Sequence, residues 1–300
     1  MSESEMEREI VEPLSNPIGL DGIEYIEYTT AKPQALGAVL ENMGFRPVAR
    51  HRSREVLLYR QGDMNVVVNA SPGIVQGARL PAETPHISAL ALRVRDARAA
   101  YDYLRARGAW EVPMHAQVME LNIPGIHGPG GAHIYFVDRY REFSIYDIDF
   151  SPIPGVDAHP VAVAGLRFFG LVQYIDVERT ADWVHFYSEL MGFVELPPDQ
   201  RFGILPKGTL MQSPCGQFFL QLIEPDPKAG IGRSDELFQR IGLGVPDVPA
   251  AVRELGKRGV EFIALSTARS EEHGAITRSY LGSVMFELVH VAAGMTGGPK

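Results

Sequence analysis

The chain has 300 residues, 45% of them hydrophobic and 22% charged, with a formal net charge of −9. That is an ordinary globular composition with room for about two domains of roughly 150 residues each. The acidic balance argues against a nucleic-acid partner, which needs a basic surface, and no run reaches the roughly 18 apolar residues of a membrane span. One cysteine, Cys215, excludes an internal disulfide and a multi-cysteine zinc site. The polar, acidic start "MSESEMEREI" is unlike a signal peptide, so a cytoplasmic protein is expected.

After this start, "IEYIEYTT" reads as a strand. "PQALGAVLENMGFRPV" (33–48) then spaces Leu36, Val39, Leu40 and Met43 as one helical face and ends its helix at Gly44. "REVLLYRQGDMNVVVNA" supplies further strands. The same order returns with "HISALALRVRD" and the helix of "ARAAYDYLRARGAWEV" (97–112), stopped by Gly108. The proline-rich "SPIPGVDAHPVAVAG" (151–165) follows. Beyond it, "GLVQYIDVE" leads into "TADWVHFYSELMGFVEL" (180–196), with Trp183, Phe186, Tyr187 and Leu190 on one face and Gly192 at the end, and then into "GQFFLQLIE". Last come "RIGLGVPD", the helix of "VPAAVRELGKRGVEFI" (248–263) with Gly259, and "GSVMFELVHVA".

Strand, helix, then strands is therefore written four times, and the proline-rich stretch divides the four copies into two pairs. The expected organisation is a tail (1–18), a first domain (19–152), a linker (153–164) and a second domain (165–300), of mixed α+β class. Each domain pairs two βαβββ modules into an open barrel, and concave interiors of that kind are default binding sites. One residue stands out. Glu287 lies between Phe286 and Leu288 in an apolar strand, where Met285, Glu287 and Val289 share one face. A buried carboxylate needs a partner.

Several stretches resemble the 4-hydroxyphenylpyruvate dioxygenase and hydroxymandelate synthase family of the vicinal oxygen chelate (glyoxalase/dioxygenase-like) superfamily. They are "NPIGLDGIEYIEYTT", "MGFRPVARHRSREVLLYRQGDMNVVVNA", "MELNIPGIHGPGGAHIYFVDRY" and "SIYDIDF", and more weakly "DWVHFYSELMGF" and "VMFELVH". The resemblance implies a site in the second barrel, where Fe(II) is held by two histidines and a carboxylate and leaves open positions for oxygen and a 2-oxo acid. Glu287 matches the carboxylate and would be the metal ligand if a metal is bound. The histidine positions read Val172, or Gln173 with a one-residue slip, and Arg240. Two of the three ligands are thus absent, and the cofactor is left open. The family's C-terminal helix is also not found after Glu287, where the sequence reads "GMTGGPK".

Two readings follow for Arg240 and Glu287. They form the catalytic pair of an enzyme whose chemistry differs from the family's own. Alternatively, they replace the metal as a buried ion pair in a metal-free or non-catalytic binding protein. In both, the ligand is a small, anionic aromatic or 2-oxo acid, and Gln173, Gln212 and Gln221 are the expected binding groups. The resemblance also implies a homo-oligomer. The histidines offer no HxxxH or HExxH pair. A displaced site of Glu24, His86 and His133 is a minor candidate in the first domain, against the commoner case of structural histidines. "GIHGPGGAH" (125–133) lacks the Walker lysine and reads as a strand-connecting loop. Cys215 lies in a turn signal, and a catalytic thiol there needs a base brought by the fold.

Overall fold

The computed structural model describes residues 15–71, 84–113, 121–197, 208–225, 236–263 and 273–291. Most of the N-terminal tail and the residues after 291 lie outside these. The first sheet contains β1 (Leu20–Thr29), β2 (Arg46–His51), β3 (Val56–Gln61), β4 (Met64–Asn69), β5 (His86–Val94), β6 (Gly125–His127), β7 (His133–Val137) and β8 (Phe150–Pro152). The helices α1 (Pro33–Asn42), α2 (Ala97–Arg105) and α3 (Ile145–Asp149) belong to it in sequence. The second sheet contains β9 (Arg167–Tyr174), β10 (Val194–Glu195), β11 (Thr209–Gln212), β12 (Phe219–Ile223), β13 (Leu237–Val245), β14 (Gly274–Ile276) and β15 (Met285–His290), with α4 (Thr180–Met191) and α5 (Val248–Lys257).

The strand orders are β6-β7-β5-β1-β4-β3-β2-β8 and β10-β11-β12-β9-β13-β15-β14. The block β1-β4-β3-β2 is repeated as β12 to β10 around β9, and β5-β7-β6 as β13-β15-β14. In each sheet the first strands of the two modules meet at the centre in antiparallel pairs, β1 with β5 and β9 with β13. Neither sheet closes. The architecture is the α+β, paired-βαβββ arrangement that the fourfold pattern predicts. The pattern does not reveal α3, a single short helix whose start is held by Asp147: its Oδ2 accepts from the Ser144 backbone N–H at 2.8 Å and hydroxyl at 3.0 Å.

Local chemistry explains the helix ends. Asp96 accepts from the Ala99 N–H at 2.8 Å, and Asp247 from the Ala250 N–H at 2.8 Å, so the second and fourth modules start their helices with the same cap. Helix α4 stops at Gly192, whose φ of 76° is left-handed. A Cβ there would also lie 2.3 Å from the Ser15 carbonyl oxygen, so glycine is required twice over. Among the described residues no helix is long and apolar enough to cross a membrane.

One apolar core runs under the helices of both sheets. It takes Leu36 and Leu40 from α1, Tyr101 and Leu104 from α2, Tyr187 and Met191 from α4, and Leu255 from α5. Phe286 and Leu288 of β15 join it, so the strand turns its even-numbered residues to the helices. The opposite face, called the inner face below, holds a separate cluster in the first sheet, including Tyr25, Leu58, Val67, Tyr146 and Phe150. The two sheets meet through β5 and β13 and through the "GIHGPGGAH" loop. In that loop Gly130 packs so tightly on the Glu236 backbone that a Cβ would lie 1.6 Å from its carbonyl oxygen. The loop connects strands, as its sequence predicts, and also seats one sheet on the other.

Candidate functional site

Register decides which side chains share the inner face of the second sheet. Gln221 of β12 is opposite Val172 of β9, Val172 is opposite Arg240 of β13, and Arg240 is opposite Met285 of β15. Glu287 lies one step further, beside Gly242. Gln212 is opposite Phe219, which pairs with Gly170. Neighbouring residues across strands point to the same side. Gln212, Gln221, Val172, Arg240 and Glu287 therefore lie on one face, about 5 Å apart from strand to strand. A bulge between Phe238 and Arg240 sets this alignment.

Arg240 Nε donates to Glu287 Oε2 at 3.0 Å, with side-chain exposures of 3% and 6%. The carboxylate in the apolar strand thus has a guanidinium for a partner. Arg240 Nη2 is buried and finds no hydrogen-bond acceptor among the described residues. Gly242 lies opposite Glu287 on the same face, and a Cβ there would meet Gly170 and Phe169 at 3.4–3.6 Å. Phe169 and Phe219 stack at 4.9 Å next to it, an apolar wall the sequence reading did not pick out. Gln212 and Gln221 are half-buried on the same face.

Gln173 is different. Parity turns it to the helices, where its Oε1 accepts from the Tyr187 hydroxyl of α4 at 2.7 Å. It is completely buried, and its Nε2 has no partner among the described residues. A side chain held there cannot reach a ligand on the other face, so the binding role expected of Gln173 does not match its position. The one-residue slip that would have brought it inward does not occur: Val172, not Gln173, is opposite Arg240.

These residues do not fit an iron centre. Val172 has no donor atom. Arg240 offers only N–H donors and a positive charge. Glu287 is the one remaining ligand type, and its carboxylate is engaged by the arginine. Among the described residues no group of three or more histidines, cysteines, aspartates or glutamates converges anywhere. The displaced trio is likewise apart. Glu24 bonds Arg93, His86 is exposed at an end of its strand, and His133 Nδ1 meets the Tyr135 hydroxyl at 3.1 Å. The Cys215 thiol contacts the Ser213 hydroxyl at 3.3 Å, and burial pushes it up, the reverse of an activated thiolate.

Comparison with known proteins agrees with this architecture. Residues 14–151 match the model of the hydroxyphenylpyruvate dioxygenase N-terminal domain. The chain is 39% identical over 240 residues to 4-hydroxyphenylpyruvate dioxygenase of Pseudomonas sp. (strain P.J. 874), covering 78% of this chain and 66% of that protein. It is 36% identical over 266 residues to the Pseudomonas aeruginosa enzyme of the same name, covering 83% and 73%. The chain thus spans about two thirds of the length of these curated relatives. A variant of 4-hydroxymandelate synthase from Streptomyces coelicolor superposes with a TM-score of 0.69 at 18% identity, over 92% of this chain and 94% of that one, which shows the shared fold. With this identity carried over most of the chain, the protein belongs to the 4-hydroxyphenylpyruvate dioxygenase family.

Proposed function

We propose that this family member binds a small anionic aromatic or 2-oxo acid on the inner face of its second sheet, without the family's iron. The observation that carries the reading is the Nη2 of Arg240, buried beside Glu287 and without a hydrogen-bond partner among the described residues. Arginine presents its N–H groups as a planar fork that suits a carboxylate. Here Nε is taken by Glu287, and Nη2 is left to a ligand oxygen. Gln212 and Gln221 are the polar groups that orient the ligand, and the Phe169–Phe219 stack is the apolar surface for a ring. Glu287 keeps the guanidinium in place and is the base available to a reaction that needs none of the family's oxygen chemistry.

The reading is tested by thermal shift and calorimetry on the purified chain with 4-hydroxyphenylpyruvate, the acid in the relatives' name, and with other aromatic and 2-oxo acids. Stabilisation that survives a chelator is expected, by mass action on the folded state. Glu287→Gln and Arg240→Met should each abolish it. Iron or cobalt bound at one equivalent and required for the shift would refute the metal-free site, and an unchanged shift in both variants would move the site elsewhere. Product formation from the bound acid separates a catalyst from a sequestering protein, the second form the same site supports. We also propose the domain limits 19–152 and 165–300, a cytoplasmic setting and self-association into a homo-oligomer, which sedimentation would measure.

A further inference from the structure

The inner face of the first sheet carries a cavity of about 450 Å³. Its buried and half-buried polar lining includes Glu24, Arg60, Asn65, Arg93 and Tyr146. Glu24 is 2% exposed, and its Oε2 accepts from Arg93 Nε at 2.6 Å. Asn65 Nδ2 donates to the Glu24 carbonyl oxygen at 3.0 Å and to its Oε1 at 3.4 Å. Arg60 is held differently. Its Nε donates to Asn65 Oδ1 at 2.8 Å and its Nη1 to the Ala158 carbonyl at 2.9 Å, and neither bond ends on a carboxylate. The other acids lining the cavity, Asp63, Glu142 and Asp147, are exposed at its rim.

Tyr146 supplies a second, independent sign. Its ring lies under the Arg60 guanidinium, 5.3 Å from centroid to Cζ. Its hydroxyl is buried and faces the Glu24 carboxylate, toward which it makes a weak contact, but among the described residues it completes no hydrogen bond of good geometry. Burial and then that charge raise its pKa well above the usual tyrosine range, so it stays a neutral O–H. A buried hydroxyl without a well-aligned partner is uncommon in a folded protein, and a ligand oxygen would provide one.

The geometry points to a second small-molecule site in this cavity, for a small carboxylate that bears a hydroxyl group. The volume is within the roughly 300–1,000 Å³ of ligand pockets. Arg60 and Arg93 receive the carboxylate in their remaining N–H groups. Glu24 repels a second anion, so what it selects is a donor: the ligand hydroxyl donates a hydrogen bond to Glu24 and accepts one from Tyr146. A bare carboxylate or an inorganic anion satisfies the arginines and leaves Glu24 and Tyr146 as they are.

Titration calorimetry on the full chain tests this with tartrate, succinate and sulfate. Tartrate and succinate have the same chain and charge and differ by the hydroxyls. Tartrate is expected to bind at least tenfold more tightly than succinate or sulfate. Arg60→Met should weaken it tenfold or more, and Tyr146→Phe several-fold. Arg240→Met, in the other sheet, should leave tartrate binding unchanged. Equal binding of tartrate and succinate, no binding of tartrate, or wild-type affinity in Tyr146→Phe would each overturn the assignment. Should Arg60→Met fail to fold, Tyr146→Phe and the tartrate–succinate ratio decide.

Discussion

The Arg240–Glu287 pair makes a prediction whose size can be worked out. Both side chains are almost fully removed from water, at 3% and 6% exposure, and meet at 3.0 Å. Removing one partner from such a pair strands a buried charge, at a cost of about 3–5 kcal/mol. Glu287→Leu should lie at the upper end, because it takes from the buried guanidinium its charge-assisted bond and leaves the positive charge without the carboxylate. Arg240→Met should lie at the lower end. It takes the guanidinium from the carboxylate but also removes Nη2, which has no partner among the described residues and whose burial as an orphan costs about 1–3 kcal/mol. For a protein of this size each kcal/mol moves the melting temperature by about 2–4 °C, so the single variants should melt on the order of 10 °C lower. The double variant, with an apolar pair in the same space, should return to within about 2 kcal/mol of wild type or exceed it. Urea titration of the four proteins measures the cycle. A coupling of several kcal/mol is expected, far above the roughly 0.3–0.5 kcal/mol of independent sites. If either single variant costs less than about 1 kcal/mol, the pair behaves as a hydrated surface bridge and the account of a closed charge pair is wrong.

Three further outcomes are expected. Val172→His combined with Arg240→His puts two imidazoles opposite each other across β9 and β13, next to Glu287, and should create cobalt binding visible as d–d absorption; a silent titration would mean that these three positions do not converge. Burial, and then the neighbouring His127, hold His133 below its usual value of 6.5, so the folded protein binds fewer protons there than the unfolded chain. That contribution to stability is present above pH 6.5 and is lost as the pH falls through the lowered value, and His133→Gln should flatten the acid limb of melting temperature against pH. Asp247→Ala removes the cap of α5 and should cost about 0.5–2 kcal/mol, read by chemical denaturation; an unchanged midpoint would mean that the bond to Ala250 contributes nothing.

Local pattern is a direct consequence of side-chain type, so much of the fold is legible in the sequence. Apolar spacing marks α1, α2, α4 and α5, and the alternating runs around them mark the strands that repeat four times. The lone carboxylate in "MFELVH" signals a buried charge because its strand neighbours enter the core, and parity puts Glu287 opposite in direction to Phe286 and Leu288. What the spacing of residues in one chain does not contain is the pairing between strands. The bulge before Arg240 and the parallel register of β13 with β15 bring the guanidinium onto Glu287, and the same register turns Gln173 to Tyr187 and away from the inner face. The cavity of the first sheet is less legible still. Glu24, Arg60, Arg93 and Tyr146 come from four separate elements, each unremarkable alone, and only their closure around one space gives Arg60 its neutral partners and sets the Tyr146 hydroxyl against Glu24 without a well-formed hydrogen bond among the described residues. Sequence determines which residues must be buried, since that is a property of each side chain. The tertiary structure decides which buried polar groups meet, because that depends on distances between segments that are far apart along the chain.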